Sequence, residues 1–326
     1  MSKLVTIFGG SGFVGRYVAR RMAKEGWRVR VATRVPDECL FVRTYGEVGQ
    51  VEPVACNIRD ETSVAAAVQD ADAVINCVGI LAETRKNSFG AVQVDGAERV
   101  ARLSAEAGVS SMVQISAIGA DAGSDSEYSR TKAEGEAAVL RHMPNAVILR
   151  PSIIFGPEDE FFNRFAKMSR FGPVLSIIGA DTKFQPVYVD DVARAAASAA
   201  MGEVEPGIYE LGGPDVATFR ELMEQMLEII RRKKLINNVS FGMARMMAGA
   251  FGLVEKISFG LVDAPLTVDQ VKNLARDNVV SEGARGFEDI GIRPVAMSAI
   301  LPEYLWRFRP SGQYEVLTES GKNLHT

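Results

Sequence analysis

Residues Leu4 to Gly15 read LVTIFGGSGFVG, an apolar run that passes straight into three glycines spaced three apart, Gly9, Gly12 and Gly15. Such a pattern predicts a buried strand, a tight turn and a helix whose first N–H groups point outward at the turn. Gly9 permits the turn, Gly12 lets the backbone approach a pyrophosphate, and Gly15 lets the helix pack closely on the strand. Ser11, Phe13, Val14 and Arg16 complete the candidate cradle. The remaining alternative for this stretch alone is a glycine-rich turn with no ligand.

The rhythm then repeats. KLVTIF (3–8), RVRVATR (28–34), VEPVACNI (51–58), DAVINCVG (72–79), SMVQIS (111–116) and NAVILRPSIIFG (145–156) read as six strands. Helical patterns at 15–26, 62–70, 93–109 and 126–143 lie between them. Regular strand–helix alternation predicts an α/β fold with a parallel sheet covered on both faces, doubly wound in the Rossmann manner. After Gly156 the alternation stops. A helix over 160–172, a return to the sheet layer over 184–202, a helix over 218–234 and an apolar, Met-rich stretch over 240–262 predict a smaller, mostly helical C-terminal domain. The expected division is 1–155 with 184–202 for the dinucleotide domain, and 156–183 with 203–326 for the smaller one.

Ligands of such sheets sit beyond the carboxyl ends of the strands. Asn57 and Ile58 end the third strand, and Cys77, Val78 and Gly79 the fourth, which places all five on one rim. An Asp or Glu at the end of the second strand would hold the ribose 2′-hydroxyl of NAD. Here that strand ends in Arg34, whose guanidinium suits a 2′-phosphate, so NADP(H) is expected. The alternative for Arg34 is a solvated surface charge. On the helix at 126–143, Tyr128 and Lys132 share a face, four residues apart. A neighbouring ammonium is expected to lower the phenol pKa and fit Tyr128 for proton transfer.

Composition excludes several other chemistries. With 326 residues, 47% apolar and a net charge of −4, the chain is long enough for a large core and offers no global basic field to nucleic acid. Three cysteines without a CxxC pair and only two histidines give no metal-site spacing and no Ser-His-Asp triad. With no signal-peptide pattern before the first strand, the expectation is a cytosolic protein or a mature form whose targeting segment has gone.

GGSGFVG, NCVG, YSRTK, LRPSIIFGP and PVYVDDVARA, in this order over residues 1–200, resemble the extended and atypical short-chain dehydrogenase/reductases. The resemblance implies Gly9, Gly12 and Gly15 on the pyrophosphate, Tyr128 in proton transfer, Lys132 on the nicotinamide ribose, and the span Pro151 to Ile154 along the nicotinamide. One departure stands out. The family carries a polarising hydroxyl two positions after the first Ser of the segment that follows the fifth strand. In ISAIGAD, Ser116 holds the first position and Ile118 the second. Losing one such donor costs on the order of 10²–10³ in rate.

Further on, TVDQV…DNVVS and LPEYLWRFRPSGQY resemble, more narrowly, the dinucleotide-binding accessory subunits of respiratory complex I. That likeness implies a tightly bound NADPH, a structural role on the peripheral arm near the quinone region, and other complex I subunits as partners. It also implies a place on the cytoplasmic face of a bacterial inner membrane, or the matrix side in a mitochondrion. Tyr128 and Lys132 would then be vestigial. The 240–262 stretch and Leu301–Pro310 are the expected docking surfaces, the former also a candidate for membrane-surface contact. A free NADPH-dependent reductase or nucleotide-sugar epimerase is the competing expectation.

Overall fold

The computed structural model describes residues 2–84, 87–257, 267–310 and 312, and side chains in α8 only as far as Ala250. In chain order it begins β1 (Leu4–Phe8), α1 (Phe13–Lys24), β2 (Arg28–Thr33), a 3₁₀ segment (Pro36–Tyr45), β3 (Val51–Ala55), α2 (Glu61–Val68) and β4 (Ala73–Asn76). A π-helical turn (Gly90–Val94) leads into α3 (Asp95–Glu106), followed by β5 (Ser111–Ile115), α4 (Glu127–His142) and β6 (Val147–Pro151). Next come β7 (Ile154–Phe155), α5 (Phe162–Met168), β8 (Val174–Ile178), β9 (Lys183–Phe184), β10 (Val187–Tyr188), α6 (Val189–Ala200) and β11 (Gly207–Leu211). The remainder is β12 (Ala217–Thr218), α7 (Phe219–Ile229), β13 (Leu235–Val239), α8 (Phe241–Ile257), α9 (Val268–Asn273) and α10 (Met297–Leu305).

Seven strands form one parallel sheet in the order β11-β6-β5-β4-β1-β2-β3. The order reverses between β1 and β4, which opens a crevice at their carboxyl ends. All five residues of β1 are buried, as a central strand covered on both faces requires. On one face Ile7, Val18, Met22 and the alanines of α6 form a core; on the other, Phe8, Val64, Val100 and Val139 from α2, α3 and α4 form a second. A third core gathers Phe155, Phe162, Phe219, Met223, Leu301 and Leu305 in the C-terminal part.

Two local expectations are corrected. The strand expected over 145–156 breaks after Pro151: proline offers no N–H to the ladder, and β7 leaves to pair with β10. Gly207–Leu211, assigned from sequence to the smaller domain, instead extends the main sheet along β6. Too short to declare itself, GIYEL becomes a strand because β6 presents an open edge. Within Leu301–Pro310, expected as a docking surface, Leu301, Tyr304, Leu305 and Phe308 are buried, whereas Trp306 and Arg307 are exposed. Tyr304 donates to Asp159 Oδ2 at 2.5 Å, and Arg307 donates to the Pro157 carbonyl at 2.8 Å, so α10 is tied to the loop after β7. The side chains of Phe251, Leu253, Ile257, Phe259 and Leu261 lie outside the described residues. Among the described residues no helix is long and apolar enough to cross a membrane.

Candidate functional site

The glycine turn sits at the switch point of the sheet. Gly9 holds φ +70° while its N–H donates to the Ala32 carbonyl at 3.0 Å, so the chain reverses directly above β2. A Cβ at Gly15 would stand 2.2 Å from the Gly9 carbonyl oxygen, so only glycine allows α1 this close to the turn. Gly12 caps α1 with no side chain, is exposed, and no acid occupies the first helical turn. The positive end of the helix therefore faces outward beside Phe13 and Val14, a cradle that fits the pyrophosphate of a dinucleotide.

The neighbouring strand ends close around it. A Cβ at Gly9 would touch Val78 and the Cys77 carbonyl carbon at 3.2 and 3.3 Å. Ser11 Oγ donates to Thr33 Oγ1 at 3.1 Å, linking the turn to the end of β2, where Arg34 follows, exposed. Arg16 is a brace within the turn: it donates to the Ser11 and Gly12 carbonyls, each at 3.2 Å. Its guanidinium lies over the Phe41 ring at 5.1 Å. Asn57 Oδ1 accepts from Arg59 N at 3.1 Å, and Ile58 is buried in the core beneath α3. Pro151 closes β6, buried, and Ile154 lies in β7, partly buried.

Tyr128 and Lys132 occupy the first turns of α4. Ser126 caps the helix, its Oγ accepting from Ser129 N at 3.3 Å. Lys132 Nζ lies 5.9 Å from the Tyr128 ring centroid, and a Cβ on Gly79 would be 3.3 Å from that same ammonium. The pair, Cys77 and Gly79 thus meet at one end of the crevice. The expected lowering of the phenol pKa is corrected here: burial pushes Tyr128 up to about 12. Burial also draws Lys132 down to about 8, although Glu136 and Cys77 favour its charge. Cys77 is pushed up to about 12 by burial.

Below about pH 8 Lys132 is charged in both the folded and unfolded protein, and its burial cost is paid in full. As pH rises from about 8 toward the ordinary lysine value of 10.5, the folded state sheds the proton first and that cost fades. In the ligand-free protein, Lys132→Met is expected to raise stability at neutral pH by up to about 3 kcal/mol. The gain is expected to shrink toward pH 10. Urea unfolding at the two pH values checks this, and a pH-independent difference would contradict it.

Ser116 Oγ donates to Glu136 Oε1 in the core, and Glu136 also receives Arg150 Nε at 2.9 Å and Nη2 at 2.6 Å. The Ser116 hydroxyl is therefore committed to the helix behind it. Ile118 is buried, with its N–H on the Pro151 carbonyl at 3.0 Å.

A strap that residue-by-residue reading did not place crosses this end of the crevice. Asp269, in α9, accepts from Ser126 Oγ at 2.9 Å, Glu127 N at 2.8 Å and Tyr128 N at 3.2 Å. It is an acid set against the positive end of α4. Asn273 Oδ1 accepts from Ser129 Oγ at 3.2 Å, and Arg276 reaches Asp125 at 3.1 Å. Asn278 Oδ1 accepts from Ser152 Oγ at 2.7 Å, while its Nδ2 donates to the Ile118 carbonyl at 3.4 Å. Gln270 Nε2 lies 3.4 Å from the Leu81 carbonyl. The local signal was present: Thr267 and Gln270 form a capping box, and TVDQ spells it. What the strap rests on was not readable from that signal.

A parallel doubly wound sheet with a glycine cradle at its switch point, and a Tyr–Lys helix beside it, defines a dinucleotide-fold protein. The family model described as NAD dependent epimerase/dehydratase matches residues 5–212, and the chain belongs to that family. Over 316 residues it is 37% identical to NADH dehydrogenase (ubiquinone) 1 alpha subcomplex subunit 9, mitochondrial, of Arabidopsis thaliana, covering 95% of this chain and 79% of that one. It is 28% identical over 313 residues to the mitochondrial NADH-ubiquinone oxidoreductase 40 kDa subunit of Neurospora crassa, covering 95% and 81%. These homologues are accessory subunits of respiratory complex I. The solved Thermus thermophilus UDP-glucose 4-epimerase complex with NAD shares the fold, with a TM-score of 0.67 at 19% identity over 94% of this chain and 99% of that one.

Proposed function

We propose that this chain is an NADP(H)-binding accessory subunit of respiratory complex I that keeps its dinucleotide as a structural ligand and does not turn it over. What carries the reading is the likeness to complex I subunits along 95% of the chain, strap included. The site supports it from the chemical side. The position expected to polarise a substrate oxygen is the buried Ile118, and burial pushes the Tyr128 phenol further from the tyrosinate form that would accept a proton. Arg34, with no acid ending β2, supports the 2′-phosphate form of the nucleotide. When bound, the dinucleotide supplies charge and surface to the cradle. Gly9, Gly12 and Gly15 hold its pyrophosphate and Lys132 its ribose, with Asp269 keeping α4 in place.

The proposed location is the peripheral arm near the quinone region and the membrane junction, on the cytoplasmic or matrix side, with neighbouring complex I subunits as partners. Exposed Met243, Met246 and Met247 on α8 offer those partners an adaptable apolar contact. Native separation of solubilised membranes, followed by detection of the chain, tests the assignment: it is expected in the high-mass NADH:ubiquinone oxidoreductase band. Denaturing that band is expected to release NADP(H), and Arg34→Asp to weaken retention of NADP(H) more than of NAD(H). Migration as a free protein with rapid NADPH oxidation that Tyr128→Phe abolishes would establish the reductase alternative instead.

A further inference from the structure

Charge is distributed unevenly along this chain. Residues 161–180 and 229–254 together carry eight Lys and Arg and no Asp or Glu, in a protein whose net charge is −4. The fold joins the two stretches. β8 and β13 pair in parallel with Val174 opposite Leu235, Leu235 N donates to the Pro173 carbonyl at 3.0 Å, and Lys234 Nζ bonds the Gly172 carbonyl.

At this end of the pair the apolar side chains divide. Leu175 and Ile177 point into the core, whereas Met168, Phe171, Val174 and Leu235 face solvent; Phe171 is 77% and Leu235 70% exposed. Gly172, at φ +60°, turns the chain sharply between Phe171 and Pro173, so the phenylalanine stands at the tip of a loop. Exposed Lys167, Arg170 and Lys233 lie on the segments that carry this tip.

We propose that this tip is a membrane-docking surface for an anionic lipid bilayer. Phe171 and Leu235 would enter the boundary between headgroups and acyl chains, with the surrounding lysines and arginines on the lipid phosphates. The combination favours lipid over a protein partner. Protein interface cores are depleted of lysine, whereas long basic side chains around an apolar tip can keep their heads at the headgroup level. The acidic remainder of the surface is repelled by the same bilayer, which orients the molecule with this face down. The surface is separate from the dinucleotide crevice. It deepens the complex I reading, on which it rests only for the nearness of a bilayer.

The test is co-sedimentation of the full chain with vesicles of phosphatidylcholine alone and of phosphatidylcholine mixed with phosphatidylglycerol. Binding is expected only to the anionic vesicles and is expected to fall as salt rises. Lys167→Glu with Lys233→Glu should reduce partitioning at least about tenfold. Phe171→Ser with Leu235→Ser should reduce it while the salt dependence stays, and all variants should keep the wild-type thermal midpoint within a few degrees. Equal binding to neutral vesicles, no binding by the wild type, or undiminished binding by the charge-reversed variant overturns the proposal. If the wild type ignores vesicles but the charge-reversed variant drops out of the high-mass band, the surface meets an acidic protein and the complex I reading stands. A chain that binds vesicles yet never enters that band would fail the complex I reading alone.

Discussion

Gly15→Val is expected to lower the thermal midpoint sharply with or without nucleotide, whereas Gly12→Val is expected to abolish only the stabilisation that nucleotide brings. The two glycines sit three residues apart and differ in what surrounds them. A Cβ on Gly15 meets the Gly9 carbonyl oxygen at 2.2 Å and Gly10 Cα at 2.6 Å, both backbone atoms. The turn cannot yield, because Gly9 N is bonded to the Ala32 carbonyl and Gly12 N to the Gly9 carbonyl. Forcing α1 away from the sheet should cost about 3 kcal/mol or more. Gly12 has an ordinary φ of −72°, and a Cβ there meets only the Gly9 carbonyl oxygen, at 3.1 Å. The ligand-free Gly12→Val protein should therefore unfold near the wild-type temperature. Its valine, however, stands where a pyrophosphate must approach. A ligand that binds only the folded state at a thousandfold excess over Kd contributes about 4 kcal/mol, on the order of 8 °C in midpoint for a chain of this size. Thermal unfolding of both variants with and without NADP(H) reads the difference, and a full nucleotide-induced shift in Gly12→Val would refute the cradle. In membranes, Gly12→Val should reduce the amount of chain in the high-mass band while Tyr128→Phe leaves it near normal.

The second large effect lies behind the site. Glu136 is buried, receives two hydrogen bonds from Arg150 and one from Ser116, and Arg150 is itself mostly buried. Among the described residues, Glu136→Ala leaves that guanidinium with Glu210 alone, at 3.7 Å, whose other carboxylate oxygen accepts from Ser281 N. Removing one partner of a buried pair costs about 3–5 kcal/mol, mostly the penalty of the stranded charge. Replacing both partners, Glu136→Leu with Arg150→Met, should recover much of it, because apolar groups of similar volume need no counter-charge. Urea unfolding of the single and double variants decides the matter. A single variant within about 1 kcal/mol of wild type, or a double variant no better than the single, would show that the pair is not what holds α4 to β6.

Residue types and their spacing were enough for the sheet, its parallel sense and the position of the glycine cradle. Those features are local: an apolar run, a turn that tolerates only glycine, and a helix with a stripe of alanines and valines each carry their instructions in neighbouring residues. Tyr128 and Lys132 were legible for the same reason, since four residues of helix bring them together without help. Their protonation was not. The sequence shows a lysine beside a tyrosine, from which a lowered phenol follows. The packing of Phe89, Gly79 and the strap around them determines how much water remains, and desolvation outweighs the neighbouring charge. Nor does any local signal show that Ser116 turns away to Glu136, that GIYEL completes the sheet against β6, or that Leu301, Tyr304, Leu305 and Phe308 join the core of the C-terminal part. Each depends on a partner far along the chain. By itself the sequence determined the class of fold, the glycine turn after β1 and the shared helix face of Tyr128 and Lys132. Only the tertiary structure decided that Asp269 and Asn278, more than a hundred residues away, are tied to the start of α4 and to Ser152 after β6, because a contact between distant segments is set by the fold that brings them together and by no spacing within either one.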